Sequence, residues 1–510
     1  MNLPNLVSNL SVTMPLNILL AWACLLLLVD VFIPRKFLFR ITRQGHPTGR
    51  SITAALAALG LLLAMGLTLV RGGQPGVAFG GMIVVDGFAN FLTLLFLGSG
   101  LLGIALAYDY LKRMGIDRGE YYVLLLFSIS GMLLMAVAAD LIMVFLALEL
   151  LSIPLYVLAG FARPRQDSEE AALKYFLLGA FATGFVVYGI ALVFGATGTT
   201  AFSEIVAAIK AGQSTGGVTL PTGLAFNPSM LVIGAALIFI GFGFKVGAVP
   251  FHMWTPDVYQ GAPSPVTAFM SVGAKAAGFT ALLRLFVVAL PALAVDLTPV
   301  LWVVSALTMI LGNIVAIAQS NIKRLLAYSS IAHAGYILMA VLNFGQSQVT
   351  GDAVAAVLFY LLAYAITSFA AWAVVIALEK NEGTGLELKD YAGMGRKFPL
   401  LAAVMAVAMF SFTGVPPTLG FVGKFYLFRT VLEGGFTGLA IIGVLTSLVS
   451  AYYYLRVVVI MYMQEGEPEV RREPWLYLTA SAAAIVIVVL SIFSAPLFNW
   501  ASQAVMAALP

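Results

Sequence analysis

Long apolar stretches recur along almost the entire chain, and they limit its fold more than any other feature. Each is about 20 residues long, the length that an α-helix needs to cross roughly 30 Å of hydrocarbon. Of the 510 residues, 61% are hydrophobic and 10% are charged, whereas a soluble domain carries roughly 25% charged residues. Barrel strands would alternate apolar and polar residues over segments of about ten, and in lipid a helix satisfies its own backbone. We therefore predict an all-α integral membrane protein.

Charged residues and Gly/Pro clusters divide the apolar sequence into about 14 predicted spans. These fall approximately at 14–33, 52–70, 88–108, 121–138, 141–161, 171–195, 229–250, 264–290, 298–318, 325–343, 353–378, 400–429, 436–462 and 475–497. The longest connection, from Gly198 to Pro228, is rich in Gly, Thr and Ser and is predicted to lie on the membrane surface. The first apolar run lacks a basic leader and a small-residue cleavage site, so we interpret it as a retained span.

Basic residues follow an alternating pattern between the predicted spans. One set falls on a single side of the membrane: Arg35, Lys36, Arg40, Arg43, Arg50, Lys112, Arg113, Arg118, Arg163, Arg165, Lys323, Arg324, Lys380, Lys389, Arg396, Lys397, Arg471 and Arg472. The opposite side offers little beyond Arg71 and Lys210, with Arg429 near a helix end. Positive loops face the cytoplasm, so we expect a cell-membrane protein with both termini on the outer side. The basic residues behind the net charge of +4 thus reflect the orientation of the chain in the membrane and do not indicate a nucleic-acid partner.

Residues that could hold a cofactor are scarce. The single cysteine, Cys24, excludes an internal disulfide and an iron–sulfur cluster held by this chain. The histidines are His46, His252 and His333, and the absence of a CxxCH motif argues against haem. A Gly-x-Gly pair in the seventh span follows no strand, so it is not a nucleotide loop. We expect this chain to bind no cofactor and to receive its energy from neighbouring subunits.

Five ionisable residues lie in the middle of a predicted span or about one turn from its end, where their charged forms are poorly solvated. Glu149, Lys245, Lys275 and Lys424 fall deep in apolar sequence, and Lys174 lies about one turn into the sixth span. A buried ion pair that only fixes helix packing would explain one of these residues. It explains the set poorly, because the lysines outnumber the glutamate. A lysine in a dry site gives up its proton more readily than in water, so the set predicts a proton path.

Helix-breaking residues accompany two of these lysines. Pro250 follows Lys245, and Pro416 and Pro417 precede Lys424. A proline alone can simply kink a membrane helix. Broken helices at matching places in two halves of a chain point to an ion site in a transporter, and each break here adjoins a buried lysine.

The histidines and aspartates give weaker signals. His252, seven residues beyond Lys245, is the favoured proton relay, and His333 fits a relay or a polar packing role equally well. Three aspartates lie near predicted span ends, where we expect contact with water: Asp30, Asp86 and Asp140.

Three long motifs resemble the antiporter-like membrane subunits of respiratory complex I. These are VPFHMWTPDVYQGAPSPVTAFMSVGAKAAGF (Val249–Phe279), QSNIKRLLAYSSIAHAGYILMA (Gln319–Ala340) and GVPPTLGFVGKFYLF (Gly414–Phe428). The DVYQGAP wording, and a lysine in the late broken helix, are similar to the N-type branch of that family, called subunit 2 in mitochondria. The resemblance covers essentially the whole chain.

The resemblance implies a role for each buried residue. Glu149 of the fifth span and Lys245 of the broken seventh span would form a coupled pair, and Lys174 matches a lysine of the sixth span. Lys275 of the eighth span would pass protons along the membrane midplane, and Lys424 of the broken twelfth span would face the exit. It also implies that the complex oxidises NADH and reduces a quinone, with NADH, flavin, iron–sulfur clusters and quinone bound by partner subunits.

The resemblance further implies an internal division of the chain. About 3 spans at 1–120 would precede a five-helix repeat at 121–290, an inverted five-helix repeat at 298–462, and a last span within 463–510. The expected partners are other membrane subunits, including further antiporter-like ones, together with lipid and protons. Three alternatives stay open: a cation/proton antiporter of the same fold, a hydrogenase or photosynthetic version of the complex, and a scaffold whose charges only fix helix packing.

Overall fold

The computed structural model describes residues 3–32, 49–71, 74–215, 226–380, 383–504 and 506. In these ranges the chain is largely helical, and 13 helices are long and apolar enough to cross a membrane. In chain order the helices of eight or more residues are α1 Leu3–Val12, α2 Met14–Phe32, α3 Gly49–Val70, α4 Gly87–Arg113, α5 Glu120–Val137, α6 Leu141–Ala159, α7 Gln166–Thr197, α8 Phe202–Thr215, α9 Pro228–Val246, α10 Trp254–Gly261, α11 Ser264–Leu283, α12 Ala294–Ile317, α13 Ile322–Val341, α14 Thr350–Leu378, α15 Pro399–Thr413, α16 Leu419–Glu433, α17 Thr437–Met463, α18 Pro474–Ile492 and α19 Ser494–Gln503. The prediction of an all-α membrane protein is confirmed.

The predicted spans correspond closely to these helices. Thirteen of them match a single long helix, and the twelfth, predicted at 400–429, is divided into α15 and α16. The apolar-run criterion missed α1, α8, α10 and α19, because these helices are too short to form runs of about 20 residues. Helix α8 lies in the connection that was predicted to run along the surface, of which 216–225 lies outside the described residues, as does His46.

One small hairpin precedes α4. Strand β1, Gly76–Ala78, pairs antiparallel with β2, Ile83–Val85, in the register Gly76 to Val85. The Ala139 amide donates to the Met82 carbonyl at 2.9 Å and ties the turn to the end of α5. Strands of three residues are too short to show an alternating pattern in the sequence.

Small residues allow helices α7 and α9 to approach each other closely. Helices α7 and α9 pack along each other, and Gly189 and Gly234 face one another across the contact. A Cβ added to Gly189 would lie 2.6 Å from the Gly234 carbonyl oxygen, and one added to Gly234 would lie 2.8 Å from the Gly189 oxygen. Glycines at such contacts let membrane helices approach backbone to backbone, so larger residues at either position would separate α7 from α9.

Three helices form the centre of the bundle. In α11, α13 and α14, 89%, 94% and 89% of the most apolar window is buried by the chain itself, against 22% in α2 and 28% in α18. The outer helices present apolar side chains outward, as expected of a surface that contacts lipid or other membrane subunits. The central helices carry Lys275 and His333, which places these two groups away from lipid.

Candidate proton-transfer site

The first break in the bundle follows α9. Gly247 caps the helix in a left-handed conformation, with φ 77°, which glycine adopts without steric cost. Beyond it the Val249 amide donates to Thr308 Oγ1 at 2.9 Å, and Trp254 Nε1 donates to the Phe244 carbonyl at 2.8 Å. These bonds satisfy backbone groups that the break frees, as a break at membrane depth requires.

Lys245 lies on the last turn of α9 and is 4% exposed. Its ammonium donates to Ser152 Oγ at 2.8 Å and to Tyr175 Oη at 3.2 Å, so its hydrogen-bond partners among the described residues are neutral hydroxyls. Glu149 lies one turn before Ser152 on α6, and its charge is close enough to act on Lys245. Among the described residues Lys245 thus forms hydrogen bonds to hydroxyls and no direct ion pair with Glu149.

Glu149 is less buried than the sequence suggests. Its Oε1 accepts a hydrogen bond from Thr183 Oγ1 of α7 at 2.8 Å, and its side chain lines an open groove together with Phe145 and Tyr188. Within this chain the carboxyl is therefore only partly buried, because α6 and α7 lie at the edge of the bundle. The groove leaves Glu149 accessible to the lipid or the subunit that lies against this face.

Lys174 is not part of the buried set, contrary to the expectation from sequence. Its side chain is 40% exposed and forms ion pairs with Glu170 and Asp257, both at 2.7 Å. The other oxygen of Asp257 pairs with Arg324 at 2.8 Å. Lys174 thus belongs to a surface network that joins the starts of α7 and α13 to α10. The sequence hid this because the carboxylate of Asp257 comes from a distant helix.

Lys275 lies near the middle of α11 and is almost completely buried. Its ammonium donates to the carbonyl of Ser330 at 2.5 Å and to that of Val246 at 3.2 Å, and it lies 6.0 Å from the centre of the Tyr364 ring. Val246 directly follows Lys245. Lys275 therefore connects the break after α9 to α13, and its described hydrogen-bond partners are uncharged.

His333 continues this line along α13. Its Nδ1 pairs with Tyr360 Oη at 2.5 Å and its Nε2 with Tyr454 Oη at 3.0 Å. The ring is buried, and the charges of Lys275 and Lys424 both reach it. An imidazole with a hydroxyl on each nitrogen can accept a proton on one side and release one on the other.

His252 fits the line less well, although sequence reasoning favoured it. It is half-buried in the segment between α9 and α10, and its Nδ1 has no hydrogen-bond partner among the described residues. The structure brings His333, and not His252, between two of the buried lysines. The sequence favoured His252 because it lies seven residues after Lys245. The contacts of His333 could not be read from the sequence, because they come from helices α14 and α17.

The second break lies between α15 and α16 and holds Lys424. Gly414 ends α15 in a left-handed conformation with φ 87°, and the Lys424 side chain packs against it. The buried Lys424 ammonium donates to Ser447 Oγ at 2.8 Å and to the Thr413 carbonyl at 3.0 Å, and lies 4.8 Å from the centre of the Tyr336 ring. As at Lys245, the described partners are neutral groups beside a helix break.

Two buried charged clusters went unnoticed in the sequence. Arg284, at the end of α11, pairs with Asp86 at 2.7 Å, and Lys323 lies fully buried near Glu379. The expectation of water contact is wrong for Asp86 and also for Asp140, which is buried. All of these residues are near predicted span ends, where sequence cannot separate a solvated charge from one covered by a neighbouring helix.

The arrangement as a whole is a line of buried amine and imidazole side chains through the bundle. Lys245, Lys275, His333 and Lys424 follow one another from the first helix break to the second. Buried ionisable groups that face the interior of a membrane bundle, next to discontinuous helices, are typical of proteins that move ions or protons. In the described part of the chain, no group of three or more His, Cys, Asp or Glu side chains could hold a metal ion.

The fold and these residues define a membrane protein of the ion-translocating class. The family described as "NADH:quinone oxidoreductase/Mrp antiporter, TM" matches residues 138–450, and the chain belongs to this family. The matched region contains both helix breaks and all four groups of the line.

Known relatives match this chain along almost its full length. The chain is 47% identical to NADH-quinone oxidoreductase subunit N of Chloroflexus aggregans, over 96% of each chain. It is also 47% identical to subunit N of Trichlorobacter lovleyi, over 94% of this chain and 92% of the relative. A chain of respiratory complex I from Thermus thermophilus, solved with bound aureothin, superposes with TM-score 0.79 at 35% identity, covering 96% of this chain and 100% of that one. A chain of the Mrp complex from Dietzia shares the fold, with TM-score 0.81 at 20% identity over 98% and 97%.

Proposed function

We propose that this chain is a proton-translocating membrane subunit of an NADH-quinone oxidoreductase and performs no redox chemistry itself. The observation that carries the proposal is the line from Lys245 through Lys275 and His333 to Lys424, in which the ammonium and imidazole groups bind hydroxyls and carbonyls. Groups held only by neutral partners can gain or lose a proton without leaving an opposite charge unpaired. NADH oxidation and quinone reduction would take place in partner subunits, which would hold the flavin and clusters.

The energy for transport would enter at Glu149. This carboxyl faces an open groove on one side and acts electrostatically on Lys245 on the other. A charge change in a neighbouring membrane subunit would alter the preference of Lys245 for its proton. Lys275, His333 and Lys424 would then shift protons in turn, and Lys424 would release one. Lys174 would contribute through its surface network and His252 as a weaker relay.

The arrangement in the membrane completes the proposal. The protein would lie in the cell membrane with both termini on the outer side, and the ranges 121–290 and 298–462 would form two inverted five-helix repeats. Each proposed repeat contains one of the two helix breaks, after Val246 and after Thr413.

Replacing Lys275 with methionine tests transport against a purely structural role. Methionine is unbranched and flexible enough to fill the space of the lysine stem, but it cannot carry a proton. We expect Lys275→Met to lower proton pumping and the coupled quinone reduction by at least about tenfold, with assembly retained. Both rates are measured on the purified complex in sealed vesicles.

The matched control is Thr280→Val. Thr280 is buried on the same helix and donates only to the Ala276 carbonyl of that helix. This change removes a buried polar group without touching Lys275, so turnover is expected to stay near wild type. Unchanged turnover in Lys275→Met would instead favour the scaffold interpretation.

A cation/proton antiporter is the second candidate, since the fold is shared with a chain of an Mrp complex. The higher identity over nearly the full length to subunits of NADH-quinone oxidoreductases favours the first candidate. Reconstitution of the chain by itself would decide between them, because sodium-dependent proton flux in the absence of partner subunits would support the antiporter.

A further inference from the structure

A second cluster of charged residues is buried in the bundle, apart from the line between Lys245 and Lys424. Glu379 ends α14 and Lys323 begins α13, and both side chains are fully buried. Glu379 Oε1 accepts from Tyr110 Oη at 3.1 Å and lies 3.5 Å from Arg165 Nη1. The Lys323 ammonium donates to the Ala262 carbonyl at 2.7 Å. Burying such charges is costly unless every one is compensated.

Compensation at Glu379 is incomplete. Its Oε2 is buried and has no hydrogen-bond partner among the described residues, and the same is true of Tyr391 Oη and Ser264 Oγ. The carboxyl also stands at the carboxy-terminal end of α14, where the helix dipole disfavours a negative charge. Buried polar atoms in native proteins are almost always satisfied, and internal water commonly does this. The geometry therefore fits a hydrated carboxyl better than a saturated structural ion pair.

The cluster lies between the surface and Lys275. Arg165 is 24% exposed and connects Glu379 to the face that carries the basic loops. Lys323 is seven residues before Ser330 on α13, about 10 Å along a helix, and the Ser330 carbonyl accepts from Lys275. The hydroxyls of Ser330 and of Ser368 on α14 are also buried; they lie beside Tyr364, and neither makes a hydrogen bond of good geometry in the described structure. Hydroxyls that can hold water thus occur both at the cluster and beside Lys275, on helices that pack together.

We propose that Glu379 is the proton-uptake site of this subunit, an inference that rests on the proposed transport function. Glu379 takes a proton from the face with the basic loops and passes it through waters held by Ser368 and Ser330 to Lys275. In each cycle the carboxyl loses one proton to the water chain and the Lys275 amine gains one. Arg165 stabilises the carboxylate that is left until the next proton arrives from the surface.

The test is Glu379→Gln in the assembled complex. Glutamine keeps the shape and the acceptor for Tyr110 but cannot be protonated. We expect proton pumping and coupled quinone reduction to fall about tenfold, with the deficit growing as the pH on the uptake side rises, because protons become scarcer. Glu379→Asp, which keeps the carboxyl, is expected to restore part of the rate. If the Glu379 ion pair only supports packing, Glu379→Gln would lower the stability of the complex but leave the shape of the pH profile unchanged.

The matched control is Glu469→Gln. Glu469 is 73% exposed and pairs at 3.1 Å with Lys380, the residue next to Glu379, so this change removes a carboxylate nearby without entering the bundle. An unchanged pH profile in an assembled Glu379→Gln complex would overturn the proposal. If that complex does not assemble, Ser368→Ala decides, because its hydroxyl contributes no described bond to the fold: lowered pumping supports the water path and unchanged pumping refutes it. A normal Glu379→Gln complex beside an impaired Lys275→Met complex would refute the uptake site alone.

Discussion

Replacing Lys245 or Lys424 with alanine is expected to leave the complex assembled and to remove most of its proton pumping, together with the quinone reduction coupled to it. Each ammonium is bound by neutral groups, Ser152 and Tyr175 in one case and Ser447 and the Thr413 carbonyl in the other. Truncation therefore leaves no opposite charge stranded in the bundle, and the cost to folding is limited to lost packing and hydrogen bonds. Loss of the proton carrier should lower the coupled rates by at least about tenfold.

Arginine substitutions separate the charge of each lysine from its ability to release a proton. Arginine stays charged under all conditions met by proteins, so Lys245→Arg keeps the electrostatic partner of Glu149 but cannot give up a proton. We expect it to be as inactive as the alanine variant. The readout is NADH-driven acidification of sealed vesicles, measured together with quinone reduction. Lys210→Ala, an exposed lysine on α8, is the control and should behave as wild type. Normal pumping in a complex that lacks both Lys245 and Lys424 would end the proposal.

Depth in the membrane could be predicted from the sequence because it depends on local composition. Thirteen of the predicted apolar runs are single helices in the structure, and a lysine in the middle of such a run is buried, as at Lys275. The breaks were also local signals, since Gly247 and Gly414 adopt conformations that favour glycine, with prolines shortly after each. These features need no knowledge of neighbouring helices.

Partners across the bundle could not be predicted, because they depend on how the helices are rotated and packed. His333 is bound by Tyr360 and Tyr454, the second of which lies 121 residues away. Lys174 appeared buried beside the lysines of the spans, yet its partner Asp257 comes from α10 and holds it near the surface. A position near a span end leaves open whether the residue meets water or another helix.

Removing the guanidinium of Arg284 is expected to destabilise the subunit by about 3–5 kcal/mol, the usual cost of leaving a buried charge without its partner. Arg284 and Asp86 are 1% and 3% exposed, and their two parallel hydrogen bonds measure 2.7 and 2.8 Å. Arg284 Nη2 also donates to the Ala136 carbonyl at 2.8 Å. Arg284→Met fills much of the same space but removes the guanidinium that pairs with the buried Asp86 carboxylate. The measurement is the thermal unfolding of the purified complex and the amount of this subunit that it retains.

A second substitution should restore much of this stability. In Arg284→Met combined with Asp86→Asn, the carboxylate charge is gone, and the asparagine side chain can still cap α4 by accepting a hydrogen bond from the Ala89 amide. Arg429→Met, which breaks an exposed pair with Glu433, is the control and should cost no more than about 1 kcal/mol. If the double variant were as unstable as Arg284→Met, packing of the arginine stem and not the charge pair would be the cause. Recovery would show that two buried cations, one on α11 and one directly after it, are in opposite situations. Arg284 is neutralised by a carboxylate and fixes the end of the helix, whereas Lys275 is held by carbonyls that allow its proton to leave.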